Sequence, residues 1–185
     1  SIRLSFLIEY FMTLSYLESV YTGLDRLEVN IHQLVQGVMD GLREMANKKE
    51  VRLENNVPED TCLFADSQRM FQALNNLVEN GIKNGGACVS GCATQAYGEL
   101  DLCVNDDGPV IPAEVCDRIF ERFFRVDKAR SREMGGTGLG LSIVKHVTQL
   151  HGGTARVDSK PGEGAYFHLI LPSIKPEADA AQTSS

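Results

Sequence analysis

Residues 135–145 read Gly-Gly-Thr-Gly-Leu-Gly-Leu-Ser-Ile-Val-Lys, with Gly136, Gly138 and Gly140 at alternate positions and an apolar helical pattern directly behind them. Glycine lets the backbone take φ > 0 and lets a ligand approach with no Cβ in the way. The first turn of the helix that follows offers free N–H groups and a partial positive charge, which together suit a phosphate. The stretch therefore reads as a phosphate-binding turn feeding a helix. The plainer reading is a tight turn ahead of a core helix, so the rest of the chain has to decide between them.

Composition narrows the field. At 185 residues, 43% of them hydrophobic, the chain suits one ordinary domain plus a small appendage. A net charge of −7 argues against broad contact with nucleic acid or an anionic membrane. No apolar run reaches the roughly 18 residues that a membrane span needs. The nearest, residues 2–21, is interrupted by Arg3, Glu9 and Glu18, and it lacks the basic start and cleavage site of a signal peptide. The five cysteines (62, 88, 92, 103 and 116) are odd in number and show no metal-finger spacing. They read as reduced residues of a cytoplasmic protein. On one strand Cys88 and Cys92 lie about 13 Å apart, too far for a disulfide. A redox or metal role for that pair requires Gly91 to bend the strand.

Along the chain, Leu4, Leu7, Phe11 and Leu14 form a helical seam of the kind that packs against other helices, reading as the tail of a longer helix. Gly23 and Asp25 break it. Asn30 opens a second helix, with Gln33 placed as in a capping box and Ile31, Leu34, Val35, Val38 and Leu42 on its buried stripe. Strands are predicted around Val51–Val57 and 62–65. Asp66 caps a third helix whose core face holds Met70, Phe71, Leu74, Leu77, Val78 and Ile82, and Asn84-Gly85-Gly86 stops it. A hairpin over 87–94 and 99–105 turns at Tyr97-Gly98. A short helix follows over 113–124, then a basic loop over 125–135. The helix after Gly140 runs to Leu150, and strands at 154–157 and 165–171 close the domain. From Ser173 the chain is a polar tail, expected to be disordered. Strands paired between helices favour a mixed sheet with helices on one face, an α/β two-layer arrangement.

Three groups of residues can carry chemistry. On the third helix Asn76, Asn80 and Lys83 fall at i, i+4 and i+7, on one face opposite the apolar stripe. A solvated helix face explains that spacing equally. The functional reading is that a carboxamide oxygen ligates Mg²⁺ and the lysine neutralises phosphate. Residues 104–112 (Val-Asn-Asp-Asp-Gly-Pro-Val-Ile-Pro) leave a strand into a Gly/Pro turn. There a carboxylate either makes an ordinary Asx turn or accepts a hydrogen bond from a ligand's exocyclic amine. Arg125, Lys128, Arg130 and Arg132 place four cations just before the glycine turn, either as a solvated loop or as a mobile lid over phosphates.

The order of these segments resembles the ATP-binding catalytic domain of sensor histidine kinases, within the wider ATPase group that includes gyrase and MutL. Residues 76–83 (Asn-Leu-Val-Glu-Asn-Gly-Ile-Lys) resemble that family's N box, and 106–112 its G1 box. Residues 119–125 (Ile-Phe-Glu-Arg-Phe-Phe-Arg) resemble its F box, 136–141 its G2 box, and 162–167 its last glycine motif. The resemblance spans about residues 26–172. It implies an ATPase-type α/β sandwich in which Asn80 coordinates Mg²⁺, Asn76 supports phosphate or metal and Lys83 contacts phosphate. It further implies that Asp106 reads the adenine amine beside Gly108, and that Arg125 and Lys128 belong to the lid. Gly136, Thr137, Gly138, Leu139 and Gly140 would shape the phosphate turn. Residues 1–24 resemble the end of the dimerisation helix hairpin that bears the phosphoacceptor histidine, leaving 173–185 as a tail.

One position separates the subfamilies. Gyrase-like hydrolases carry a glutamate four residues before the metal-binding asparagine, as general base for water. Asn76 stands there in this chain. An amide takes no proton at neutral pH, so the resemblance implies phosphoryl transfer to another acceptor. None of the histidines (32, 146, 151 and 168) lies in the first helix with an acidic neighbour, so the acceptor is expected outside these 185 residues. The implied partners are ATP, a phosphoacceptor helix of the same or a partner subunit, and a response regulator, with the whole protein a homodimer, membrane-anchored or not. Val110 replaces the second glycine of the G1 box, Asn84 replaces an aromatic, and Gly81 replaces an alanine. These departures support the alternative of a degenerate kinase acting as a binding scaffold. An anti-sigma-type serine kinase is a third reading, one with no use for the leading seam helix.

Overall fold

A computed structural model describes residues 23–124 and 138–173. Its strands and helices, in chain order, are β1 (Leu27–Asn30), α1 (Ile31–Lys48), β2 (Arg52–Asn56), β3 (Cys62–Ala65), α2 (Ser67–Asn84), β4 (Cys88–Ala96), β5 (Glu99–Asp106), α3 (Gly140–Leu150), β6 (Thr154–Lys160) and β7 (Gly164–Pro172). Five strands form one sheet in the order β2-β4-β5-β7-β6, and β1 pairs with β3 in a two-stranded antiparallel sheet. Only the β2–β4 pairing of the larger sheet is parallel. The helices pack on one face of it, the expected two-layer α/β sandwich.

Each helix starts where its side chains allow. Asn30 Oδ1 accepts the Gln33 N–H at 2.9 Å, and Asp66 Oδ1 accepts the Arg69 N–H at 3.1 Å, so both predicted caps are made. Replacing Asn30 with alanine is expected to lower unfolding free energy by about 1 kcal/mol, read from urea denaturation, because one orphan helix donor loses its partner. From the caps onward the buried positions follow a 3–4 spacing: Ile31, Val35, Val38, Met39, Leu42 and Ala46 on α1, and Met70, Ala73, Leu74, Leu77, Val78, Gly81 and Ile82 on α2. They join Leu100, Leu102 and Val104 of β5 and Phe167, Leu169 and Leu171 of β7 in one continuous core.

The ends of α2 and α3 are tied together by a buried histidine. His151 Nε2 accepts the Asp66 N–H at 3.0 Å, so its proton sits on Nδ1 and is donated to Val147 O at 2.8 Å. Burial, the largest influence on it, pushes the His151 pKa below its ordinary value and keeps the ring neutral.

Several expectations need correction. Residues 113–124 form no α-helix; Ala113–Val115 is a single 3₁₀ turn, after which the chain winds through turns that bury Ile119 and Phe120. Phe123 ends that path with φ 62, a conformation no helix continues through. Phe71 is 40% exposed and lies off the core face of α2. β1 is an additional strand; its half-exposed Leu-Glu-Val-Asn run carries too little apolar pattern to stand out. Gly85 stops α2 in an extended rather than left-handed conformation, φ −77 and ψ −171. The seam pattern of residues 2–21, the basic loop over 125–135 with Arg125 and Lys128, Gly136 and Thr137 of the glycine turn, and residues 174–185 lie outside the described residues.

Candidate nucleotide site

The last three turns of α2 carry the polar stripe. Asn76, Asn80 and Lys83 are each half-buried beside the apolar face. Asn80 Oδ1 accepts a hydrogen bond from Asn84 Nδ2 at 2.8 Å, and Asn84 Nδ2 also reaches Asn80 O at 3.1 Å. Asn84 thus fixes the Asn80 carboxamide with its oxygen assigned, leaving that oxygen one further lone pair. This positioning role is not evident from sequence, where Asn84 registers as part of the helix stop and as a missing aromatic. Lys83 Nζ pairs with Glu79 Oε1 at 2.5 Å, one helical turn back, so its charge is already partly matched.

Asn76 faces the start of α3. A Cβ built on Gly140 would lie 3.5 Å from Asn76 Oδ1, so the carboxamide rests against the first residue of that helix. Among the described residues no side chain caps α3, and a helix start of this kind offers first-turn N–H groups at residues 140–142. Gly138 takes φ 73. Leu139 is 6% exposed and anchors the turn in the core, so a ligand here meets its backbone and not its side chain.

Asp106, the last residue of β5, completes the site from the sheet. It is 7% exposed and sits under the final turn of α2, its Cβ 3.6 Å from where a Cβ on Gly81 would be. Oδ1 accepts the Gly108 N–H at 2.9 Å, while Oδ2 carries no hydrogen bond within the described residues. Burial pushes the carboxyl up to about 6, partly offset by the Gly108 N–H. Asp107 does something different: it is exposed, and its Oδ1 accepts the Cys88 N–H at 2.8 Å, closing the start of β4. The strand register therefore selects Asp106 from two adjacent carboxylates. Gly164 supports it from behind: with φ 82, a Cβ there would lie 1.9 Å from Asp106 O.

The departures weighed against the site lose force. Val110 is 45% exposed and has no positive φ, so its β-branch is not strained. Gly81 is matched to Val89, whose Cγ2 would stand 2.8 Å from an alanine methyl. For a divalent cation, no cluster of three or more His, Cys, Asp or Glu exists among the described residues. Asn80, with its oriented oxygen, suits an ion that brings most of its ligands with a polyphosphate.

A family model described as "Histidine kinase-, DNA gyrase B-, and HSP90-like ATPase" matches residues 65–175. The sensor-like histidine kinase SenX3 of Mycobacterium tuberculosis (strain H37Rv) is 36% identical over 174 residues, 93% of this chain and 42% of SenX3. The sensor histidine kinase WalK of Bacillus subtilis is 32% identical over 182 residues, 96% of this chain and 30% of WalK. The chain thus spans less than half the length of these curated relatives. Among solved structures, the nucleotide-free catalytic domain of histidine kinase ThkA superposes with a TM-score of 0.71 at 28% identity, over 81% of this chain and 97% of that one. Full-length ShkA in complex with AMPPNP gives a TM-score of 0.72 at 28% identity, over 85% of this chain and 33% of that one.

Proposed function

Since the chain belongs to the histidine kinase-, DNA gyrase B- and HSP90-like ATPase family, we propose that residues 26–172 are the catalytic portion of a two-component sensor kinase. In this reading it binds Mg²⁺-ATP and passes the γ-phosphoryl to a histidine outside these 185 residues, for relay to a response regulator. Residues 1–24 are then the end of the dimerisation helix of a homodimer, and the catalytic part works in the cytoplasm. The observation that carries the reading is a buried carboxylate, Asp106, under the same helix end that bears Asn80, with Asn76 against the start of α3.

Each residue then has a task. Asp106 Oδ2 accepts the adenine amino group, a donor that an ionised carboxylate satisfies well. Mg²⁺ would supply charge neutralisation for the polyphosphate, and Asn80, steadied by Asn84, would be the residue that holds it. Lys83 exchanges part of its Glu79 pairing for phosphate, and the N–H groups at the start of α3 face the remaining phosphate charge. Asn76 offers no base to water, so the site favours an acceptor delivered from elsewhere over hydrolysis. The same reading assigns phosphate contacts to Arg125, Lys128, Gly136 and Thr137.

Titration with a fluorescent ATP analogue is the test, run once with Mg²⁺ and once with EDTA. Wild-type protein should bind saturably. Asn80→Ala should lose about tenfold in affinity with Mg²⁺ and match wild type in EDTA, since only the metal-linked part is removed. Absence of saturable binding by the wild type would return the chain to the scaffold reading, in which the fold outlives its ligand.

A further inference from the structure

The sheet face turned away from the helices carries two thiols side by side. Cys92 on β4 is directly opposite Cys103 on β5 in the antiparallel register. Tyr97 and Gly98 both have positive φ, so β4 and β5 are joined by a two-residue turn of the kind that closes on a hydrogen-bonded pair, Ala96 with Glu99. Hydrogen-bonded and non-hydrogen-bonded pairs alternate along such a ladder, which makes Cys92–Cys103 a hydrogen-bonded pair with Cα atoms about 5.5 Å apart. That separation is the commonest one across a disulfide. The two cysteines are unbridged. This spacing is the one that Cys88 and Cys92, on a single strand, do not have.

The two thiols differ. Cys92 is half-buried and reachable, whereas Cys103 is 4% exposed yet stands outside the apolar core, covered by its neighbours on the open face. The neighbouring Cys103 thiol draws Cys92 down to about 7 against the opposing effects of burial and Asp101, while Cys92 and burial push Cys103 up. Around them stand Asp101, two residues along β5, and His168, opposite Cys103 on β7. His168 is held between Asp101, at 3.0 Å, and Asp158, at 3.4 Å. Both carboxylates pair with His168 and neither with Cys92 among the described residues.

We propose that Cys92 and Cys103 are a peroxide-oxidised thiol pair that closes reversibly into a cross-strand disulfide. Cys92, as thiolate, attacks one oxygen of hydrogen peroxide; the O–O bond breaks, and the departing hydroxide takes the proton that Cys92 released, leaving as water. Cys92 is now a sulfenic acid. The Cys103 sulfur then attacks the Cys92 sulfur, the S–O bond breaks, and the Cys103 proton leaves with that hydroxide as a second water. Two thiols and one peroxide become one disulfide and two waters, with peroxide reduced by two electrons. The bridge staples β4 to the central strand β5 three residues before Asp106, on the opposite face.

The test uses the whole chain, reduced and then exposed to equimolar hydrogen peroxide before alkylation and peptide mass mapping. The expected product has lost two hydrogens, joins the Cys92 and Cys103 peptides, leaves Cys62, Cys88 and Cys116 alkylated, and reverts with dithiothreitol. Cys103→Ser should stop at a Cys92 sulfenic acid that dimedone traps. The proposal is overturned if both thiols stay alkylatable at equimolar peroxide, if another cysteine oxidises first, or if Cys103→Ser yields no trapped Cys92 adduct. Circular dichroism of both proteins confirms that the comparison is between folded species.

Discussion

Asp106→Asn is expected to lose nucleotide and gain stability at the same time. The asparagine Oδ1 keeps the Gly108 N–H bond made at 2.9 Å. Its amide nitrogen then stands where Oδ2 was and meets the adenine amine donor to donor. Loss of one charge-assisted hydrogen bond plus an unsatisfied donor amounts to about 2–3 kcal/mol, or roughly a 30- to 150-fold fall in affinity. Without ligand the sign reverses. Folding carries the carboxyl from its ordinary 3.8 up to about 6, so the folded state binds a proton more tightly than the unfolded one. This group's contribution is fully present below about 4 and lost as pH rises through about 6. Above that the ionised, buried carboxylate costs about 1–2 kcal/mol, which the amide does not. Thermal melts of nucleotide-free protein at pH 7.5 should therefore show the variant higher by roughly 3–6 °C, and the gap should close as pH falls toward 4. Equal melting at every pH would mean that Asp106 is not desolvated. Unchanged affinity would move the adenine elsewhere.

That trade also explains which parts of the molecule can be read from residues alone. Asn30 and Asp66 were legible as caps because capping depends on a side chain three residues from its target, a local relation. The core faces of α1 and α2 were legible because burial imprints a 3.6-residue period on long helices. Phe71 escaped that logic: it adjoins the stripe in angle, and only the packing of α1 across α2 decides that the core ends at Met70. The 113–124 segment failed for the opposite reason. Its apolar residues have helical spacing, yet Ile119 and Phe120 are drawn into the core from successive turns, and tertiary burial outweighs the local preference. In the site, Asn76, Asn80 and Asp106 stood out through motif spacing. Asn84 holding Asn80, Glu79 holding Lys83, and Asp107 closing β4 are contacts between side chains whose partners no periodicity names. The thiol pair is of the same kind, since a cross-strand neighbour is invisible until register is known.

The closing glycine motif makes the dependence of site on register measurable. Gly162 and Gly164 both take positive φ, 79 and 82, so an alanine at either is strained by about 1–2 kcal/mol. Their surroundings differ. Nothing lies within 4 Å of a Cβ on Gly162, whereas one on Gly164 would stand 1.9 Å from Asp106 O and 2.8 Å from Asp107 Cα. Those are backbone atoms, so relief requires β5 and β7 to part where Asp106 pairs with Ala165. Gly164→Ala is therefore expected to cost about 3–5 kcal/mol in urea unfolding, against about 1 kcal/mol for Gly162→Ala. The functional readout should separate further. Gly162→Ala should bind the ATP analogue like wild type, and Gly164→Ala, assayed at low temperature where it remains folded, should bind at least tenfold more weakly because Asp106 is displaced. Two alanines with the same backbone strain then differ only by what the added methyl touches. If they weaken the protein equally, the glycine motif serves the turn alone and the position of Asp106 is set by β5 itself.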